Sequence, residues 1–265
     1  MRIKALAQRW VWLLVRSLLI KGRFASRPFA WKRLTGSEAN VLMCLWNRPT
    51  RLPAVLDLLD SQDHPGGVRL FLWNNNRADH PVYLRALQER AGTGGALVRV
   101  DIVRSPLNFG SIGRFFWARK IAVTRPDAPV IVLDDDQDIR TSFVREAIEQ
   151  FDPRRLTAWW AWTVGDTYWE RHAAELGDRV DHVGPGGMIC RAGIFADERF
   201  FTEIPDEFRM LDDIWLTYFA RREGYALAKL AVDIDFVMDE TNQFHTQTDL
   251  KPRFFDHLYG SRGQG

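Results

Sequence analysis

The acidic run Asp134-Asp135-Asp136, continued by Gln137 and Asp138, follows four apolar residues, Val130 to Leu133. A short, wholly apolar run of this kind reads as a buried strand, and a strand that ends in carboxylates presents them at the edge of a sheet. In extended backbone, residues two apart point to the same side. Asp134 and Asp136 are therefore expected to share a face, with Asp135 turned away as support. Clustered carboxylates repel one another, and a hard divalent cation, Mn²⁺ or Mg²⁺, relieves that repulsion because it prefers oxygen ligands. A solvated acidic loop is the alternative, but acidic residues abutting a buried strand are costly without a cation. Metal binding by Asp134 and Asp136 is the expectation. His245, within Gln243-Phe244-His245-Thr246, is a further candidate ligand, set against the common structural role of a lone histidine.

Two other groupings could do chemistry. Asp212-Asp213 opens a helical pattern that Gly224 closes. One carboxylate at a helix start caps free N–H groups and suits the dipole. The second is surplus to that role, so a catalytic reading stays open for both. The segment Asn108-Phe109-Gly110-Ser111-Ile112-Gly113-Arg114 is a glycine-containing turn into a helix. Its backbone N–H groups and the Arg114 guanidinium could hold phosphate, although its glycines fit neither a P-loop nor the dinucleotide fingerprint.

These residues need elements to position them. Strands are predicted over Val41 to Trp46, Val68 to Trp73, Ala96 to Val103 and Val130 to Leu133, alternating with helices over Leu52 to Leu59, Val82 to Arg90 and Phe109 to Val123. That rhythm predicts an α/β fold: a mostly parallel central sheet flanked by helices, as in Rossmann-type sandwiches. The second half is less regular. It holds a helix over Phe143 to Phe151, strand-like Leu156 to Trp162, the turn Gly184-Pro185-Gly186-Gly187, a helix over Asp212 to Glu223, a strand over Leu227 to Val237 and a polar, turn-rich tail. Two regions are expected: a basic amphipathic N-terminal segment, 1–36, and a single domain, 37–265. The domain divides into a nucleotide-binding half (37–138) and an acceptor-side half (139–265).

The order of these parts resembles the GT-A fold of nucleotide-sugar glycosyltransferases, particularly the family 2-like group. The resemblance runs from about Val41 to His245. It implies a metal-dependent transfer of sugar from a nucleotide-sugar donor to a hydroxyl acceptor, in glycan or polysaccharide assembly. Asn47 and Arg48, at the end of the first strand, would lie near the nucleotide, and the turn with Asn108 and Arg114 would precede the acidic strand. Asp134 and Asp136 would form the DxD motif, holding the cation and diphosphate, with Asp134 near the ribose or base. Gly184 to Gly187 would lie on the acceptor side. Asp213, with Asp212, would be the general base of an inverting reaction, or in a retaining one the group that orients the acceptor. Trp159, Trp160 and Trp162 would stack on sugar rings or pack a core. Two departures stand out. The second strand ends in Trp73-Asn74-Asn75-Asn76 where Asp residues usually hold the base or ribose, and Asp212 stands where Glu is usual. Asn75 takes the nucleotide-side place, and this ending with the three-Asp run looks more like the exostosin-type transferases. By analogy alone a UDP-sugar is favoured as donor, with a glycan or glycolipid as acceptor.

Rival readings of the same Asp cluster are a haloacid-dehalogenase-like phosphatase, a nucleotidyltransferase and a non-catalytic carbohydrate-binding protein. A formal net charge of +2, from 36 basic and 34 acidic residues, gives no strong nucleic-acid signal. Cys44 and Cys190, both within apolar stretches, read as buried thiols in a reducing compartment, hence a cytoplasmic expectation. Around residues 9–23 an apolar run broken by Arg16 and Ser17 is too short to span a bilayer. It is read either as a helix packed on the domain or as a peripheral contact with the inner face of the membrane.

Overall fold

In the computed structural model the described residues are 2–90, 94–237 and 248–260, with side chains from Ala7 onward. Thirteen strands and eight α-helices are assigned among them. The core of the architecture is four parallel strands: β2 (Ala39–Leu45), β3 (Val68–Asn74), β4 (Leu97–Arg104) and β5 (Pro129–Leu133). They lie in the order β4-β3-β2-β5 within an eight-stranded sheet. Beyond β5 the sheet continues through β11 (Met188–Arg191), which runs against both neighbours, to β7 (Arg155–Ala158) and β12 (Ala226–Lys229). At the other edge, β1 (Arg27–Ala30) pairs antiparallel with β4.

Alternation along each strand divides two hydrophobic layers. Leu42, Phe71, Trp73, Val130 and Val132 face one core, while Val41, Met43, Leu70, Leu72, Ile131 and Leu133 face the other. Apolar residues cover both faces of the sheet, as expected of parallel strands, apart from Asp101 of β4, which is buried between Arg69 and Arg99. On the first face lie α4 (Phe115–Ala122) and α7 (Asp212–Arg222), in a core dense with rings: Phe115 stacks on Phe195 at 4.5 Å and Phe116 on Phe201 at 4.8 Å. On the second face lie α2 (Leu52–Asp60), α3 (His80–Glu89) and α5 (Phe143–Glu149).

Several expected elements are broken by local geometry. The helix expected from Phe109 begins as a 3₁₀ turn, Gly110–Arg114, and becomes α-helical only at Phe115. At Gly113 a Cβ would overlap the indole of Trp73, so the turn sits directly on β3. The strand expected over Leu156 to Trp162 is two strands, β7 and β8 (Ala161–Val164). Between them the Trp159 N–H donates to Gly187 O, and Trp160 O accepts from the Gly184 N–H, which pulls the chain out of the main sheet. With β9 (Arg171–Ala173) and β10 (His182–Val183), β8 forms a small second sheet. The strand expected over Leu227 to Val237 likewise splits into β12 and β13 (Ile234–Phe236). β13 pairs with β6 (Gln137–Ile139), directly after the acidic run.

The tail is more structured than its polarity suggests. It contains α8 (Leu250–Tyr259), whose Phe254 and Phe255 are buried, Phe254 stacking on Phe208 at 4.4 Å. The spacing Leu250, Phe254, Leu258 is the helical signal the polar flanks obscured. At the other end α1 (Arg2–Ile20) packs Leu19 and Ile20 into the aromatic core, so the packed-helix reading describes its C-terminal part. No helix among the described residues is long and apolar enough to cross a membrane.

Candidate functional site

In open α/β sheets, ligands bind beyond the carboxyl ends of the strands, where the strand order reverses. Here that point lies between β2 and β5, and each strand ends there in polar residues. β2 runs into Asn47 and Arg48; β5 runs into Asp134. A hollow lined by Ala39, Asn40, His64 and Pro129 lies at the amino ends of the same strands, away from this chemistry.

The acidic run does not continue in extended form. Asp135 and Asp136 occupy a turn that returns the chain into β6. The expected alternation therefore fails. Asp135 and Asp136 share one partner, and Asp134 takes another. Arg48 Nη2 lies 2.7 Å from Asp135 Oδ1, and its Nη1 lies 3.2 Å from Asp136 Oδ2. Arg51 reinforces the turn, donating from Nε to Asp135 O at 3.1 Å and pairing with Asp138. Asp135 and Asp136 are buried, whereas the Asp134 side chain keeps 40% of its accessibility. Burial pushes the Asp135 carboxyl up to about 7 against the pull of Arg48. Burial and the charge of Asp134 also raise Asp136, so these two carboxylates remain within electrostatic reach.

Arg114, expected at the phosphate, is held between two carboxylates of the site. Its side chain is only 2% exposed, and it pairs with Asp134 through Nη1 and with Asp212 Oδ2 through Nη2 at 3.0 Å. Burial works against its charge, but Asp134 and Asp212 outweigh that and keep it protonated. One guanidinium thus ties the end of β5 to the start of α7. Asn75 is also inward-facing. Its Nδ2 donates to Gly110 O at 2.8 Å and its Oδ1 accepts from the Phe109 N–H at 3.1 Å, clamping the 108–114 turn. Asn108 Oδ1 accepts from the Gly110 N–H at 2.8 Å. Asn47 is half-buried at the mouth of the crevice.

Asp212 and Asp213 diverge. Asp212 is buried on Arg114, and burial raises its carboxyl. Asp213 turns the other way, onto Lys251 of α8 (Nζ to Oδ2, 2.6 Å), with His182 Nε2 of β10 4.0 Å away. Burial opposes its charge, but Lys251 and His182 hold it down at about 2. Lys251, His182 and the neighbouring Tyr168 carried no signal in the sequence, since three separate segments bring them together. α7 is anchored here by Thr217, whose Oγ1 accepts from the Val183 N–H and donates to Val183 O, both at 3.1 Å.

The loop Gly184 to Gly187 packs against the acidic turn. A Cβ at Gly186 would overlap Asp134 Oδ2, so the bare backbone is what allows the loop to approach the acidic turn. Gln137 Nε2, beside the same glycine, is buried without a hydrogen-bond partner. Behind the loop, Trp159, Trp160 and Trp162 are half-buried, Trp160 and Trp162 stacked at 5.4 Å. The expected ligand His245 lies outside the described residues, and among those residues no group of three or more His, Cys, Asp or Glu side chains is arranged to enclose a metal ion. The two expected oxygen donors, Asp134 and Asp136, are each paired with an arginine, Arg114 and Arg48. The two carboxylates suit a hard cation whose other ligands come from a bound anion and water.

No protein-family model matches the chain, and no curated protein matches it. Solved structures do. Mannosyltransferase PcManGT from Pyrobaculum calidifontis, in complex with GDP-Man and Mn²⁺, is similar with a TM-score of 0.59 at 12% identity, over 97% of this chain and 72% of that one. TarS 1-349 of S. aureus gives 0.48 at 15% identity, over 73% of this chain, which spans 58% of that chain's length. The likeness to the first establishes the fold: a mixed α/β domain with a large central sheet flanked by helices.

Proposed function

We propose that the chain is a metal-dependent glycosyltransferase of GT-A type, moving a sugar from a nucleoside-diphosphate sugar to a hydroxyl acceptor. The observation that carries this reading is the joining of Asp134, at the switch point of the sheet, to the Asp212-Asp213 helix start through one buried guanidinium. On this reading Asp134 would border the cation site, and the helix that carries Asp212 and Asp213 would border the acceptor. Mn²⁺ or Mg²⁺ held by Asp134 and Asp136 would supply positive charge against the diphosphate leaving group. Arg48, paired with Asp135 and Asp136 on the acidic turn, would lie near the donor's phosphates, with Asn75 and Arg114 behind them.

Asp213, held ionised near pH 2, is a weak proton acceptor as built. The geometry favours it as a fixed negative charge that orients the acceptor, and an inverting role as base would require Lys251 to withdraw. The half-buried tryptophans beside the glycine loop suit stacking against acceptor sugars.

The family resemblance favours a UDP-sugar, whereas the similar mannosyltransferase structure holds GDP-Man, so the test spans both. With Mn²⁺, purified protein is expected to release nucleoside diphosphate from one of these donors. Asp136→Ala should abolish both the release and the Mn²⁺-dependent rise in Tm. Background release from every donor, with acceptor lysate present, would overturn the proposal.

A further inference from the structure

Helix α1 has two apolar sides and the domain uses one. Trp12 lies 5.5 Å from Phe109, Arg16 Nη1 donates to Phe201 O at 3.2 Å, and Leu19 and Ile20 are buried. On its outer side, Trp10, Val11 and Leu14 are 71%, 51% and 63% exposed. Positions 10 and 14 lie one above the other on a helix, with 11 alongside, so these side chains form one continuous stripe. Large apolar groups left outside in this way mark a surface with a partner.

The charge around the stripe indicates which partner. Six lysine and arginine residues, and no carboxylate, lie on the helix and in the three residues after it. Where the helix ends, Lys21 and Arg23 are exposed, and Lys120 of α4 joins them with its Nζ 4.7 Å above the Phe24 ring. The acidic group paired with the helix's own cations is Asp206, 3.5 Å from Arg9. A Trp/Leu stripe rimmed by cations complements an anionic lipid surface, whose headgroups attract the charges and whose interface accepts the indole. Since no described helix is suited to cross a bilayer, the contact lies in the plane of the interface.

We propose that α1 docks the domain on an anionic membrane surface, with Trp10, Val11 and Leu14 entering the headgroup region and Lys21, Arg23 and Lys120 facing the lipid phosphates. The full chain is tested by cosedimentation with phosphatidylcholine vesicles, with and without phosphatidylglycerol. No donor is present, so the result is independent of sugar transfer. The expected result is binding to the phosphatidylglycerol vesicles, weakened by salt. Trp10→Ser with Leu14→Ser, at exposed positions that leave Tm unchanged, should weaken partitioning by about tenfold or more. Absence of binding to the anionic vesicles overturns the proposal, as does unchanged binding by the double variant. Concentration-dependent self-association that the double variant abolishes, without vesicle binding, would assign the stripe to a second copy of the chain and also overturn it.

Discussion

At the scale of single residues, the site is a set of carboxylates each given a different partner, and the partner decides what each can do. Asp213 next to Lys251 is ionised over the whole working pH range. Lys251→Met should raise its pKa by about 1–3 units and carry the acid limb of the donor-turnover profile upward with it. A profile that stays in place would mean Lys251 does not set the charge of Asp213. His182 shows the opposite balance. Burial drops it to about 4, with Asp213 pulling it back only in part. The unfolded chain then takes up a proton that the folded chain refuses. This site's contribution to stability is full above pH 6.5 and is lost as pH falls toward 4. His182→Gln should flatten the dependence of Tm on pH in that window. An unaltered slope in thermal unfolding at a series of pH values would reject the assignment.

At the scale of elements, the crevice depends on close approach. The 3₁₀ turn before α4 lies on the Trp73 ring at Gly113, and the residues it carries, Arg114 above all, inherit their position from that contact. Gly113→Ala should cost about 1–3 kcal/mol, because the methyl has to displace a packed indole. Urea unfolding measures this, and a neutral result would show that the turn is not seated by the ring. The same dependence explains what could be read locally. Strands β2, β3, β4 and β5 are each built on a predominantly apolar run, so their type and order were visible. β7 with β8, and β12 with β13, could not be separated, because both breaks depend on distant partners: Trp159 and Trp160 bond to Gly187 and Gly184, while after β12 the Leu230 N–H bonds to Ala158 O and the chain crosses to pair with β6.

At the scale of the whole molecule, one sheet separates two cores, and both are built from alternate residues of the same strands. Neither core can come apart while the other stays whole. Unfolding should therefore be a single transition, with the fluorescence of the eleven tryptophans coinciding with far-UV circular dichroism. Two separated transitions would show that the nucleotide-side and acceptor-side halves are distinct units.

The sequence by itself determined the α/β class, the parallel core and the place of Asp134 at a strand end, since buried parallel strands require unbroken apolar runs and polar residues can begin only where the strand leaves the core. It also marked Asp212-Asp213 as a helix start with one carboxylate too many. Only the tertiary structure decided what these groups touch. The turn at Asp135 and Asp136 overrode the extended alternation, Arg114 bridged Asp134 and Asp212, and Lys251 reached Asp213 from the far end of the chain. Each of these is a pairing of charges across long sequence separation, fixed by how burial and Coulomb attraction balance once the elements pack.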